Sequence, residues 1–141
     1  MKTVNPYFLH VLLDPLTGLA DDEDAVEKFA TLNPDDQHEV RTVIREMLTP
    51  NFENLPSQTQ KRCKQALAYY LSKPDANFGR VYEACLPPFD PPKDPRDFFV
   101  WIWSELFPGE IYEEHASELY CEVPDIEEPG RIALEALKRQ G

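Results

Sequence analysis

The chain has 141 residues, with 26 acidic and 14 basic side chains that give a formal net charge of −12 at pH 7. A chain of this length buries roughly two-thirds of its unfolded surface, so it can fold without a metal or a disulfide. The charge argues against direct binding to nucleic acid or an anionic membrane, because such binding needs lysines and arginines that displace counterions from phosphates. It favours a basic partner, unless the acidity serves only to keep the chain in solution.

Cysteine usage and the N-terminal segment predict a cytoplasmic location. The three cysteines, Cys63, Cys85 and Cys121, include no CxxC pair, and their odd number is typical of reduced thiols. The N-terminal apolar run meets Asp14 and Pro15 before it takes the form of a signal peptide. No segment approaches the ~20 apolar residues that a membrane helix requires.

Apolar spacing and helix-start signals predict about eight short helices. In chain order they cover 6–13, 21–32, 34–48, 57–72, 76–86, 95–107, 111–122 and 129–140. A polar residue followed by proline marks three starts, because the polar side chain accepts a free backbone N–H and proline lacks one. These pairs are Asn5-Pro6, Asn33-Pro34 and Asp94-Pro95. Hairpin signals and alternating β-branched runs are missing from the sequence, so no strand is predicted.

The segment with the strongest packing signal is the predicted helix 95–107. Its large apolar side chains point in nearly every direction, and only Ser104 and Glu105 interrupt them. The apolar set is Phe98, Phe99, Val100, Trp101, Ile102, Trp103, Leu106 and Phe107. A helix that is apolar on all sides is buried. We therefore predict an all-α fold, a single domain (1–141) built as an irregular helical bundle around this aromatic helix; the alternatives are a helical solenoid, or a hydrophobic groove at 95–107.

Three other features shape the predicted packing. The proline-rich connector LPPFDPPKDP (86–95) should be extended, because residues before proline avoid the helical conformation. Two inward-facing apolar stripes are predicted for the last two helices. The stripe of helix 111–122 is Tyr112, Ala116, Leu119 and Val123, and that of helix 129–140 is Ile132, Ala133, Ala136 and Leu137.

Motifs for metal binding and covalent catalysis are absent from the sequence. The three histidines belong to no HExxH or Cys/His cluster, and Asp35-x-x-His38 occurs once where a di-iron bundle needs Glu-x-x-His twice. The five glycines form no phosphate loop, and no G-x-S-x-G turn is present. Cys63 and Cys85 lie on apolar stripes and are interpreted as small buried hydrophobes. We therefore predict no catalytic residue, no metal and no cofactor.

The most informative feature is a run of carboxylates without basic residues. Between residues 97 and 130 there are ten acidic side chains and no lysine or arginine. Glu114, Glu118 and Glu122 repeat at four-residue spacing, where like charges on a helix repel one another. Such a face is either solvated surface or a ligand for basic side chains. The predicted partner-binding residues are Glu110, Glu113, Glu114, Glu118, Glu122 and Asp125, with Tyr112 and Tyr120 as aromatic anchors.

Two smaller charge clusters have simpler explanations. The acidic cluster 21–24 fits the first turn of a helix, where the helix dipole favours negative charge. The basic residues Lys61, Arg62 and Lys64 open helix 57–72. They are interpreted as solvated surface, although pairing with the acidic residues of the same molecule is an alternative.

Together these features predict a non-catalytic protein that masks a basic protein partner. The leading hypothesis is an immunity protein that blocks a toxin, such as a nuclease, by occluding its active site. One alternative is a phage-type inhibitor that imitates nucleic acid. Others are a structural or regulatory adaptor with a hydrophobic peptide groove, and an enzyme whose carboxylates lie in an unrecognised pocket. Salt separates the acidic binder from the adaptor, because surface charge pairs are screened over about 8–10 Å.

Overall fold

Helices dominate the structure, as the sequence predicts. A computed structural model describes residues 2–112 and 120–140. The described residues form β1 (Lys2–Val4), α1 (Tyr7–Leu12), α2 (Glu23–Lys28), α3 (Gln37–Val43), α4 (Thr49–Glu53), α5 (Ser57–Leu71), α6 (Phe78–Cys85), α7 (Pro95–Leu106), β2 (Tyr120–Glu122) and α8 (Glu128–Gln140). Short 3₁₀ turns cover Asp14–Leu16 and Leu19–Asp21, and a π-helical turn, Ile44–Leu48, joins α3 to α4.

The cap signals locate some helix starts better than others. At α7 the predicted pair is correct, because the Asp94 side chain accepts a hydrogen bond from the Arg96 backbone N–H and Pro95 is the first helical residue. At α3 the predicted start is wrong. Asn33 instead forms a turn by accepting the N–H of Asp35, and the helix begins only after Asp36, which caps it.

The aromatic helix α7 is the centre of the core, which confirms its prediction. Phe98, Phe99 and Ile102 have no exposed surface. The helix packs against α3, α5 and α6. The Phe98 ring meets Tyr82 edge-on, with ring centroids 5.2 Å apart. Burial is not uniform around the helix, because Val100, Trp101 and Leu106 are only half-buried.

The proline-rich connector is held to this core at several points. Pro87, Pro88 and Pro92 are buried. The Tyr82 hydroxyl donates to the carbonyl of Phe89 over 2.7 Å, and the Phe89 ring lies 5.3 Å from that of Phe29. The connector is therefore part of the packed structure and sets where α7 begins.

Two short parallel strands replace part of a predicted helix. β1 pairs with β2 in the register Lys2↔Tyr120, Thr3↔Cys121 and Val4↔Glu122. The prediction of a helix over 111–122 is therefore wrong at 120–122, and 113–119 lie outside the described residues. The reason is non-local, because the strand partner of β2 comes from the other end of the chain and leaves no trace in local periodicity.

Two residues of the predicted inward stripes face solvent. Val123 follows β2 and is exposed, and Leu137 is 64% exposed on the outer side of α8. Ile132, Ala133 and Ala136 are half-buried as the stripe predicts. The face of α8 that contacts the rest of the molecule is thus rotated away from Leu137 towards Ile132 and Ala136.

Burial on α7 predicts unequal costs of truncation. Phe98→Ala should lower the free energy of unfolding by about 3–5 kcal/mol, because the fully enclosed ring leaves a cavity. Trp101→Ala, at a half-buried position of the same helix, should cost clearly less, about 1–2 kcal/mol. Urea unfolding followed by circular dichroism measures both. Equal losses for the two variants would contradict the central position of Phe98.

Candidate functional site

Two of the predicted partner-binding carboxylates already hold a cation of this chain. Glu110 Oε1 lies 2.6 Å from Lys64 Nζ, whose ammonium also lies over the Phe107 ring. Asp125 Oδ2 lies 2.8 Å from Arg131, and this hydrogen bond holds the pKa of Asp125 below its usual value. Of the two explanations for Lys64, pairing within the molecule is therefore the one that the structure shows.

Glu122 and the two predicted aromatic anchors also have partners inside the chain. The Tyr70 hydroxyl donates a hydrogen bond to Glu122, and burial together with this carboxylate raises the pKa of Tyr70. Tyr120 is half-buried and packs edge-on against Tyr69, and Tyr112 packs edge-on against Trp103. The remaining members of the predicted set, Glu113, Glu114 and Glu118, lie outside the described residues.

Carboxylates that make no ion pair with a described residue lie together at the start of α7. Asp35, Asp94 and Asp97 are all exposed, and the backbone N–H of Lys93 donates to Asp35 over 2.7 Å. This bond holds the loop before α3 beside the connector. Partial burial raises the pKa of Asp97, and the charges of Asp94 and Asp35 raise it further. We call these three residues the α7 acidic cluster.

The acidic residues 21–24, at the N-terminal end of α2, also make no ion pair with a described residue. All four of their side chains are exposed, and Asp22 caps α2 by accepting the N–H groups of Asp24 and Ala25. Phe29, directly after α2, packs against Phe89 of the connector, so α2 and the connector are in contact. Within residues 2–112 and 120–140, ion pairs use only three carboxylates, Glu105, Glu110 and Asp125.

Sequence reasoning missed the α7 acidic cluster because it treated each member separately. The Asp94-Pro95 pair is predicted as a helix start, and Asp94 does act as a cap, whereas Asp35 is considered only in the spacing Asp35-x-x-His38. Their convergence depends on the loop before α3 lying against the connector, which no local pattern shows. The available signal is that two of the three acids stand beside a proline: Asp35 follows Pro34, and Asp94 precedes Pro95.

A second candidate site is a cavity of about 640 Å³ between α1, α5, α6 and β2. Its walls include apolar groups from Leu9, Val81 and Ala84. Its polar lining balances opposite charges, since two cations and two carboxylates face it. These are Lys73, Arg80, Asp75 and Glu122. The balance gives this cavity no net preference for a ligand of either charge.

A thiol and an imidazole meet beside this cavity. Cys85 Sγ lies 3.3 Å from His10 Nδ1, and His10 lines the cavity while its ring stacks on Tyr7. Burial lowers the pKa of His10, although Asp14 acts in the opposite direction. Burial raises the pKa of Cys85. An activated nucleophile needs a lowered pKa and access to substrate, so this pair has the properties of packed, neutral groups.

The cysteines differ in exposure. Cys63 and Cys85 are buried, as the apolar stripes predict, and Cys121 is exposed. Burial raises the pKa of Cys63 to about 12.

In the part of the chain that the structure describes, no group of three or more His, Cys, Asp or Glu side chains is placed to hold a metal ion. No described helix is long and apolar enough to cross a membrane.

Comparison with protein-family models, curated proteins and solved structures finds no match for this chain.

Thiol accessibility tests whether Cys85 is available for chemistry. In the native chain a chromogenic disulfide reagent should label Cys121 quickly, whereas Cys63 and Cys85 should react only after unfolding, because the buried thiols are inaccessible and protonated. A Cys121→Ser variant should lose the fast reaction. Rapid labelling of Cys85 in the folded chain would instead indicate a reactive thiol beside His10 and favour the enzyme hypothesis.

The lowered pKa of His10 predicts a loss of stability in mild acid. Below the unfolded-state value of about 6.5, the unfolded chain binds a proton that the folded chain resists, so the free energy of unfolding falls as pH decreases. The slope from this group is at most about 1.4 kcal/mol per pH unit. A His10→Gln variant should show a flatter profile between pH 7 and 5.5, measured by urea unfolding. Parallel profiles for the two chains would contradict this.

Proposed function

We propose that this protein binds a basic protein partner and masks it, most specifically as an immunity protein that occludes the active site of a toxin such as a nuclease. The observation that carries the proposal is the set of exposed carboxylates that no cation of the described chain pairs with. The α7 acidic cluster and the 21–24 cluster supply them. Their negative charge is available to an incoming partner.

The electrostatics of the α7 acidic cluster support a cationic ligand. Partial burial raises the pKa of Asp97, and the negative charges of Asp94 and Asp35 raise it further, because each of them repels the ionised Asp97 carboxylate. Lysine or arginine side chains placed among them would relieve this repulsion and form charge-assisted hydrogen bonds. In the basic cleft of a nuclease, the carboxylates would occupy the positions that substrate phosphates take.

The net charge supports fast capture of such a partner. An acidic surface steers a basic protein and raises the rate of association by about 10-fold to 1,000-fold at low salt. The residues from Glu110 to Asp125 remain a proposed second contact. Glu110 and Asp125 must exchange an internal cation for an external one, so we expect them to contribute less than the α7 acidic cluster.

The partner itself can be found by affinity capture. Tagged chain is incubated with nuclease-treated lysate of its native host, and bound proteins are eluted with low and then high salt for mass spectrometry. A stoichiometric basic protein released by salt supports the proposal. A partner that survives high salt favours the adaptor with a hydrophobic groove, and a nucleic-acid enzyme without a toxin's activity favours the phage-type inhibitor.

Charge neutralisation at the α7 acidic cluster then tests the binding surface. The triple variant Asp35→Asn, Asp94→Asn and Asp97→Asn keeps the cap and turn acceptors but removes three charges. It should weaken binding at least ten-fold, mainly through slower association, because steering and direct pairs are both lost. Surface plasmon resonance over a salt series measures this.

A matched control separates local pairing from global charge. The variant Glu46→Gln, Glu53→Gln and Glu83→Gln changes the net charge by the same amount at exposed positions outside the cluster. It should bind nearly as tightly as the unmodified chain. If both triple variants lose affinity equally, the α7 acidic cluster is not the binding surface.

A further inference from the structure

Helix α8 presents an apolar face to solvent. Ile126, just before the helix, is 71% exposed, and Leu134 and Leu137 on it are 54% and 64% exposed. Helical spacing places Leu134 and Leu137 on one side of α8, away from the half-buried Ile132 and Ala136 that face the rest of the molecule, and Ile126 lies in the turn before the helix. Side chains of this size so far exposed on one helix indicate a surface that another molecule covers.

Gly130 lies on the same face in the first turn of α8, and no contact with a described residue requires a glycine there. A Cβ built at this position meets no atom within 4 Å, and the residue has no positive φ. Glycine inside a helix is unfavourable compared with alanine, because it loses more backbone entropy on folding. A reason outside the chain is close approach of another backbone, which glycine allows.

The charges at the two ends of α8 would be complementary to those of a second α8 helix that lies antiparallel to it. Glu127 is the residue directly before α8, at the N-terminal end of the helix, and Lys138 lies in its last turn. Neither side chain makes an ion pair with a described residue. When two such helices lie antiparallel, the acidic end of each meets the basic end of the other.

We propose that the α8 face binds a second copy of this chain, with the two α8 helices antiparallel about a two-fold axis. In this register Leu134 of each copy lies over Gly130 of the other, and Glu127 lies beside Lys138 of the other. Two-fold symmetry requires such reciprocal contacts. In this register the exposed leucines, Gly130 and the charged residues Glu127 and Lys138 all lie in the interface.

The size of the face predicts a weak, reversible dimer. A helix of 13 residues is about 20 Å long, so the interface is smaller than the standard size of about 1,600 Å² in total. Analytical ultracentrifugation over a concentration series that reaches the millimolar range should show the average mass rising from that of a monomer towards twice that value. A chain that stays monomeric throughout would overturn the proposal.

Substitutions locate the interface. Leu134→Glu with Leu137→Glu should weaken dimerisation at least ten-fold. Val26→Glu with Ile111→Glu, at exposed apolar positions outside α8, adds the same charge and should leave the dissociation constant within about two-fold, because surface positions without contacts are near neutral. Equal effects of the two pairs would overturn the assignment to α8.

Three further variants test the register itself. Gly130→Leu should raise or maintain the thermal unfolding temperature of the monomer, because leucine is the better helix former, and yet weaken the dimer by blocking close approach. Glu127→Lys should also weaken the dimer, and adding Lys138→Glu should restore it. A Gly130→Leu dimer that is unchanged or tighter, or a charge swap without restoration, would overturn this register.

Discussion

The burial of α7 is the constraint on which the rest of the structure depends. A helix with aromatic side chains all round needs neighbours on several sides, and α3, α5 and α6 supply them. Its one carboxylate in the last turn, Glu105, is only 9% exposed and is held by Arg41 and Arg45 at 2.8 Å each. Burial alone would raise the pKa of Glu105, but the hydrogen bonds from both arginines outweigh it and lower the pKa. A second polar group of α7, the indole N–H of Trp103, is also paired, because it donates a hydrogen bond to the Glu110 carbonyl beyond the C-terminal end of the helix.

A buried polar residue, Asn5, fixes the C-terminal part of the chain to this core. Its side chain is 3% exposed and fully hydrogen-bonded: the amide donates to the Asp125 carbonyl and to Glu128, and its oxygen accepts the N–H groups of Tyr7 and Asp125. An unsatisfied buried amide is costly, so these bonds specify where residues 125–128 lie. They hold the segment between β2 and α8 against the residue that follows β1.

The sequence predicts local elements well and long-range partners poorly. Helix 57–72 matches α5 to within one residue, because its apolar stripe and its boundaries are local signals. β2 was mistaken for the end of a helix, since its partner is the N-terminal strand. The outward position of Leu137 likewise cannot be predicted from local spacing, because the segment that leads into α8 is held by Asn5 near the other end of the chain. For the candidate site, the composition shows that the chain is acidic, but which carboxylates lack a cation depends on where α5 places Lys64 and Tyr70.

Ion pairs within the chain determine which carboxylates would gain electrostatic free energy by binding a cation of a partner. A carboxylate that already holds Lys64 or Arg131 gains little from an external cation, because one favourable contact replaces another. The α7 acidic cluster has the opposite balance, since its carboxylates make no ion pair with a described residue, and besides partial burial the charges of Asp94 and Asp35 raise the pKa of Asp97. The run of acids that stands out in the sequence and the α7 acidic cluster therefore share only Asp97. The α8 segment differs from both, because residues 127–139 carry three acidic and three basic side chains, so the proposed contact with a second copy adds little local charge repulsion.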